Sequence, residues 1–95
     1  MMSDKTFPLD PAALIETPED AALFLQAAFE DGTPAEIAHA LGTVARSQGM
    51  TALAEKTGLQ RQALYKALNE AGNPTLDTLI KVIRALGLKL VPEAA

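Results

Sequence analysis

Residues 50–69 read MTALAEKTGLQRQALYKALN, with the spacing of two short helices packed at a steep angle across a tight turn. Ala54 is small where the second helix must approach closely, and Gly58 supplies a turn that a residue with a Cβ would strain. Leu53, Leu59, Leu64 and Ala67 provide apolar contacts between the two helices and toward the rest of the core. On the second helix Arg61, Tyr65 and Asn69 step by four, with Gln62 and Lys66 beside them, so all five share one continuous arc. Leu64 and Leu68 face the other way. None of the five arc residues is an acid.

Such an arc suits the major groove of DNA. Guanidinium and amide groups pair bidentately with guanine or adenine edges, while lysine and tyrosine reach phosphates. The N-terminal turn of a groove helix enters deepest, which makes Gln60, Arg61 and Gln62 the candidates for base contacts, followed by Tyr65 and Lys66, with Asn69 closing the set. The plainer alternative is a solvated helix face, against which stand the Ala-Gly-Leu spacing and the basic local balance. One such helix covers only a half-site, so specific binding to an operator implies a homodimer.

Downstream, the second pattern runs from about Gln60 to Glu70 and stops before Gly72-Asn73-Pro74. Thr75 then caps a last helix whose seam is Leu76, Leu79, Ile80, Ile83 and Leu86, with Asp77 and Lys81 as an i,i+4 pair outside and Gly87 as its end. Leu88-Lys89-Leu90-Val91 alternates and predicts a short β-strand up to Pro92, which needs a partner strand. Upstream, Thr51 is expected to cap the first short helix, which ends at Lys56 or Thr57. Thr33-Pro34-Ala35-Glu36 is a capping box for a helix ending near Gln48, with Gly49 free to turn left-handed. In that helix Ile37, Ala40, Leu41, Val44 and Ala45 make the apolar stripe, and His39, Thr43 and Arg46 lie opposite.

Thr17-Pro18-Glu19-Asp20 starts an earlier helix that runs to Asp31 and stops at Gly32. Its apolar arc holds Ala21, Phe24, Leu25, Ala28 and Phe29, whereas Leu23 and Ala27 fall among Glu19, Asp20, Gln26 and Glu30. An outward Leu23 is either a harmless exposed residue or a contact with another chain. Residues 1–16, with Pro8 and Pro11, read as an arm with a short extended piece around Thr6 to Leu9, leaving 17–95 as one helical domain with its helix-turn-helix at 50–70.

Composition agrees with helices. Hydrophobic residues make up 48% of the 95-residue chain but aromatics only 4%, with alanine and leucine prominent. There is no cysteine and a single histidine, His39, so neither a thiolate nor a histidine-pair metal site is expected, nor a glycine-rich phosphate loop. An enzyme, a cofactor, a bound metal and a small-molecule substrate are therefore not expected. No apolar run approaches the roughly 20 residues of a membrane helix, and no leader pattern opens the chain, so a cytoplasmic protein without membrane contact is expected. The net charge of −4 divides unevenly: residues 1–45 carry eight acids against Lys5, a net of −7, and residues 46–95 carry seven cations against four acids, a net of +3. Two surfaces for two kinds of partner would account for this, as would two solvated faces.

The runs Ala40 to Met50, Leu53-Ala54, Thr57-Gly58-Leu59, Arg61, Ala63 to Leu68, Gly72-Asn73-Pro74, Thr78-Leu79 and Ala85 to Leu88 together resemble the HigA-like family of addiction-module antidote proteins, within the wider Xre-type helix-turn-helix group. The resemblance covers about Asp20 to Leu90; the family usually carries a serine where this chain has Gln60. It implies an all-α, five-helix, lambda-repressor-like helix-turn-helix domain, here with an extra N-terminal helix and a short C-terminal β-strand. It also implies a cytoplasmic type II antitoxin that binds and blocks a RelE/ParE-type toxin and represses its own operon. Toxins of that type are usually basic, which suits Glu19, Asp20, Glu30 and Asp31, with Leu23, as the partner-binding set. A solitary Xre-type regulator or phage-like repressor would share the fold without the toxin, and a helical interaction protein would share it without DNA.

Overall fold

Two Thr-Pro steps set the framework of the computed structural model, which describes residues 10–95. Helix α1, Pro18–Asp31, and helix α2, Pro34–Gln48, each open with proline in the first turn and a complete capping box. The Thr17 hydroxyl accepts from the Asp20 amide at 3.1 Å while the Asp20 carboxylate accepts from the Thr17 amide at 3.3 Å. Thr33 and Glu36 repeat the exchange at 3.2 and 2.8 Å. Each box satisfies amides that a helix start otherwise leaves without partners. Gly32, between the helices, sits at an ordinary φ of −79°. It is needed for space, since a Cβ there would lie 2.3 Å from the Ala28 carbonyl oxygen.

Three shorter helices follow: α3, Met50–Thr57; α4, Arg61–Ala67; and α5, Leu76–Ala85. Thr51 lies inside α3 rather than capping it. Gly49, at φ 91° and ψ 124°, already redirects the chain, so the helix begins at Met50 without a side-chain cap and Met50 turns into the core. The positive φ expected at Gly49 is present, although its ψ lies outside the left-handed helical well. Before α1, Asp10 caps a 3-10 turn, Pro11–Leu14, that packs on α2, and Ile15 is buried. The extended piece expected at Thr6 to Leu9 lies outside the described residues.

Helix α2 is central, packing against α1, the 3-10 turn and α3, while α3 also meets α4 and α5. Leu41, Leu53, Leu64, Leu86, Val44 and Val82 are completely buried; hiding a leucine entirely contributes roughly 1.5–3 kcal/mol. Thr43, expected on the outer face, is buried together with Ala38 and Gly42. Neighbours close on α2 from several sides because its residues are small. A Cβ on Gly42 would stand 2.1 Å from the Leu68 carbonyl oxygen. The Thr43 hydroxyl is satisfied by donating to the His39 carbonyl at 3.2 Å, and His39 and Arg46 remain exposed.

The inward face of α5 is rotated from the expected seam. Val82 is fully buried and Leu76 is 71% exposed, so the core-facing set is Leu79, Val82, Ile83 and Leu86, the i, i+3, i+4, i+7 positions of one stripe. Leu76 is the first residue after the Thr75 cap and projects past the end of the packing. The Asp77–Lys81 pair forms at 2.9 Å. Gly87, at φ 80°, closes α5 in a Schellman motif: its amide donates to Arg84 and the Leu88 amide to Ile83. Leu88 to Val91 is not a strand, because no strand exists among the described residues to pair with it. Among the described residues no helix is long and apolar enough to cross a membrane.

Candidate functional site

Gly58 makes the site possible. Its φ of 75° and ψ of 10° are left-handed, which lets the chain leave α3 and enter α4 within three residues. The Thr57 hydroxyl braces the turn, donating to the Leu53 carbonyl at 2.8 Å and accepting from the Leu59 amide at 3.2 Å. Leu64 and Leu68 are buried beneath α4, and Gln60, Arg61, Gln62, Tyr65 and Lys66 are exposed above it. The Arg61 guanidinium carbon lies 5.8 Å from the centroid of the Tyr65 ring, a contact that restrains both side chains. Among the described residues neither Arg61 nor Lys66 takes part in an ion pair. Gln60 is the N-cap of α4 but its side chain makes no capping hydrogen bond.

Asn69 differs from the rest of the arc. Its side-chain NH2 donates to the Tyr65 carbonyl at 2.6 Å and the Lys66 carbonyl at 3.2 Å, and its side-chain oxygen accepts from the Ala71 amide at 2.8 Å. The amide is thus committed to ending the helix, which stops at Ala67 rather than near Glu70. The outward-facing set narrows to Gln60, Arg61, Gln62, Tyr65 and Lys66, an array of amides, cations and a phenol able to meet polar edges and anions.

A cleft of about 420 Å³ flanks this array, with His39, Thr43 and Arg46 of α2 on one side and Tyr65 and Asn69 on the other. Arg46 donates to the Thr43 hydroxyl at 3.4 Å and stands 3.9 Å from Asp10, an exposed ion pair worth about 0–1 kcal/mol. The exposure of His39 and Arg46 is readable from helical periodicity; their position beside Tyr65 depends on the close approach of Gly42 to Leu68 at the end of α4.

The acidic set is more dispersed. Glu19, Glu30 and Asp31 are exposed and Leu23 is 67% exposed, but Asp20 is occupied by the amides of Glu16 and Thr17. Glu19 and Glu30 are separated by roughly 16 Å of helix rise, so the acids form two ends rather than one cluster. Among the described residues no group of three His, Cys, Asp or Glu could hold a metal ion.

Fold and site thus define a small all-helical protein that displays an exposed array of cations and amides on one short helix. The chain belongs to the family described as "Probable addiction module antidote protein", which matches residues 5–94. An uncharacterized protein of Haemophilus influenzae is similar to it, 35% identical over 88 residues, covering 93% of this chain and 91% of its own. No solved structure matches the chain. Membership in an antidote family implies a cognate toxin as partner.

Proposed function

We propose that this chain is the antitoxin of a type II toxin-antitoxin module, of the HigA-like, Xre-type group, neutralising a RelE/ParE-type toxin by direct binding. In the same reading, α3 and α4 act as a helix-turn-helix through which a homodimer represses the chain's own operon in the cytoplasm. The antitoxin half is supported by family membership. The DNA half is carried by one observation: the exposed, acid-free array Gln60, Arg61, Gln62, Tyr65 and Lys66, presented directly after a left-handed glycine turn.

Arg61 faces outward at the start of α4, where a groove helix reaches base edges. Binding of the full chain to the DNA upstream of its operon is the test. Arg61→Ala should weaken the specific site by about 1–3 kcal/mol and nonspecific duplex much less. Equal binding by the variant and the unaltered chain would reject the groove reading. Co-expression with the product of the adjoining gene tests the antitoxin half: a stable complex and rescued growth are expected, and neither complex nor toxicity would instead favour a solitary regulator.

A further inference from the structure

A groove of about 870 Å³, lined by apolar and polar residues together, runs between α1 and the tail that leaves α5. Ala22, Leu25 and Phe29 of α1, Ile83 of α5, and Leu88 and Leu90 of the tail line it. The Schellman closure at Gly87 turns the tail back beside Ile83, and Leu90 and Val91 are left 40% and 62% exposed. A recess that combines apolar side chains with polar groups and leaves apolar residues exposed has the make-up of an interaction surface.

We propose that this groove seats an apolar segment of the cognate toxin, flanked by basic residues. The proposal rests on the antitoxin reading and names the surface that performs it. Charge selects the occupant. Glu30 and Glu93 line the groove against Lys89, and α1, which forms one wall, carries no cation. Glu30 and Asp31 also occupy the last turn of α1, where the helix dipole is negative and the turn itself holds no basic residue. Within the described residues neither acid has an ion-pair partner, so a cation on the occupant would find both carboxylates open to pair with it. A second copy of the chain is a poorer occupant. A two-fold contact through the groove would bring Glu30 and Glu93 toward the same acids of a second copy, with Lys89 alone to offset them.

The experiment uses the full chain and the purified product of the gene adjoining its own, with affinity measured by calorimetry and mass by light scattering. Leu90→Asp and Glu30→Lys should each weaken the complex about tenfold or more. Helical content and melting should be retained, because Leu90 lies in an irregular exposed tail and Glu30→Lys removes an acid from a negative helix end. Leu76→Asp, at an exposed leucine that does not line the groove, should leave affinity unchanged. A complex that forms normally with both groove variants overturns this proposal and leaves the antitoxin reading standing. No complex with the unaltered chain overturns both. A dimer that Leu90→Asp dissociates, with toxin affinity intact, overturns the proposal by making a second copy the occupant.

Discussion

If α4 reads DNA as proposed, Gln60 occupies a position where stability and recognition compete. It stands at the N-cap of a seven-residue helix with extended backbone, φ −76° and ψ 146°, yet its side chain makes no cap hydrogen bond. A serine hydroxyl in that geometry would accept from an orphan amide of the first turn. Gln60→Ser should therefore raise unfolding stability by about 1 kcal/mol, read as a higher urea midpoint at unchanged slope, while altering the base preference of the array. An unchanged midpoint would mean that the α4 amides are already satisfied by solvent. Glycines show at the same scale which demands are local. Gly58 is required by a positive φ within its own turn, and the sequence pattern discloses it. Gly42 is required by the carbonyl of Leu68, the residue that ends α4 far along the chain, which no local pattern discloses.

At the scale of elements, helix starts were more readable than helix faces. Thr17, Thr33 and Thr75 all cap as their spacing predicts, because capping is an exchange within three residues. Thr51 fails as a cap because Gly49 redirects the chain first. The face of α5 is set by what α3 presents to it rather than by the apolar count alone, so Val82 turns inward and Leu76 outward. That rotation predicts a sharp asymmetry between two leucines of one helix. Leu86→Ala should cost about 2–5 kcal/mol in chemical denaturation, and Leu76→Ala should stay within about 0.5 kcal/mol. Comparable losses at both positions would restore the original seam. The tail after Gly87 has the alternation of a strand without a neighbour to complete it, and its leucine and valine side chains border a groove instead.

Over the whole molecule, the net charge of −4 conceals an acidic first half and a basic second half. The proposed binding to DNA, by a chain of this sign, depends on a local cationic surface, so it should weaken steeply with salt. Lys66, exposed and without an ion-pair partner among the described residues, should contribute one phosphate contact. Lys66→Ala is expected to weaken all duplexes similarly and to reduce the salt slope by about one, in titrations from low to moderate salt. An unaltered slope would remove Lys66 from the interface. Sequence alone determined what is periodic or local: the all-helical class, the capped starts of α1, α2 and α5, the glycine turn between α3 and α4, and the outward placement of Arg61, Gln62, Tyr65 and Lys66. Tertiary structure alone decided what depends on distant neighbours. It buried Thr43, rotated α5, left Leu88 to Val91 without a sheet, and joined α1 to the tail as a groove. The division follows from the physics, since capping and turn geometry are settled within a few residues, whereas burial is settled by whichever surface packs against the helix.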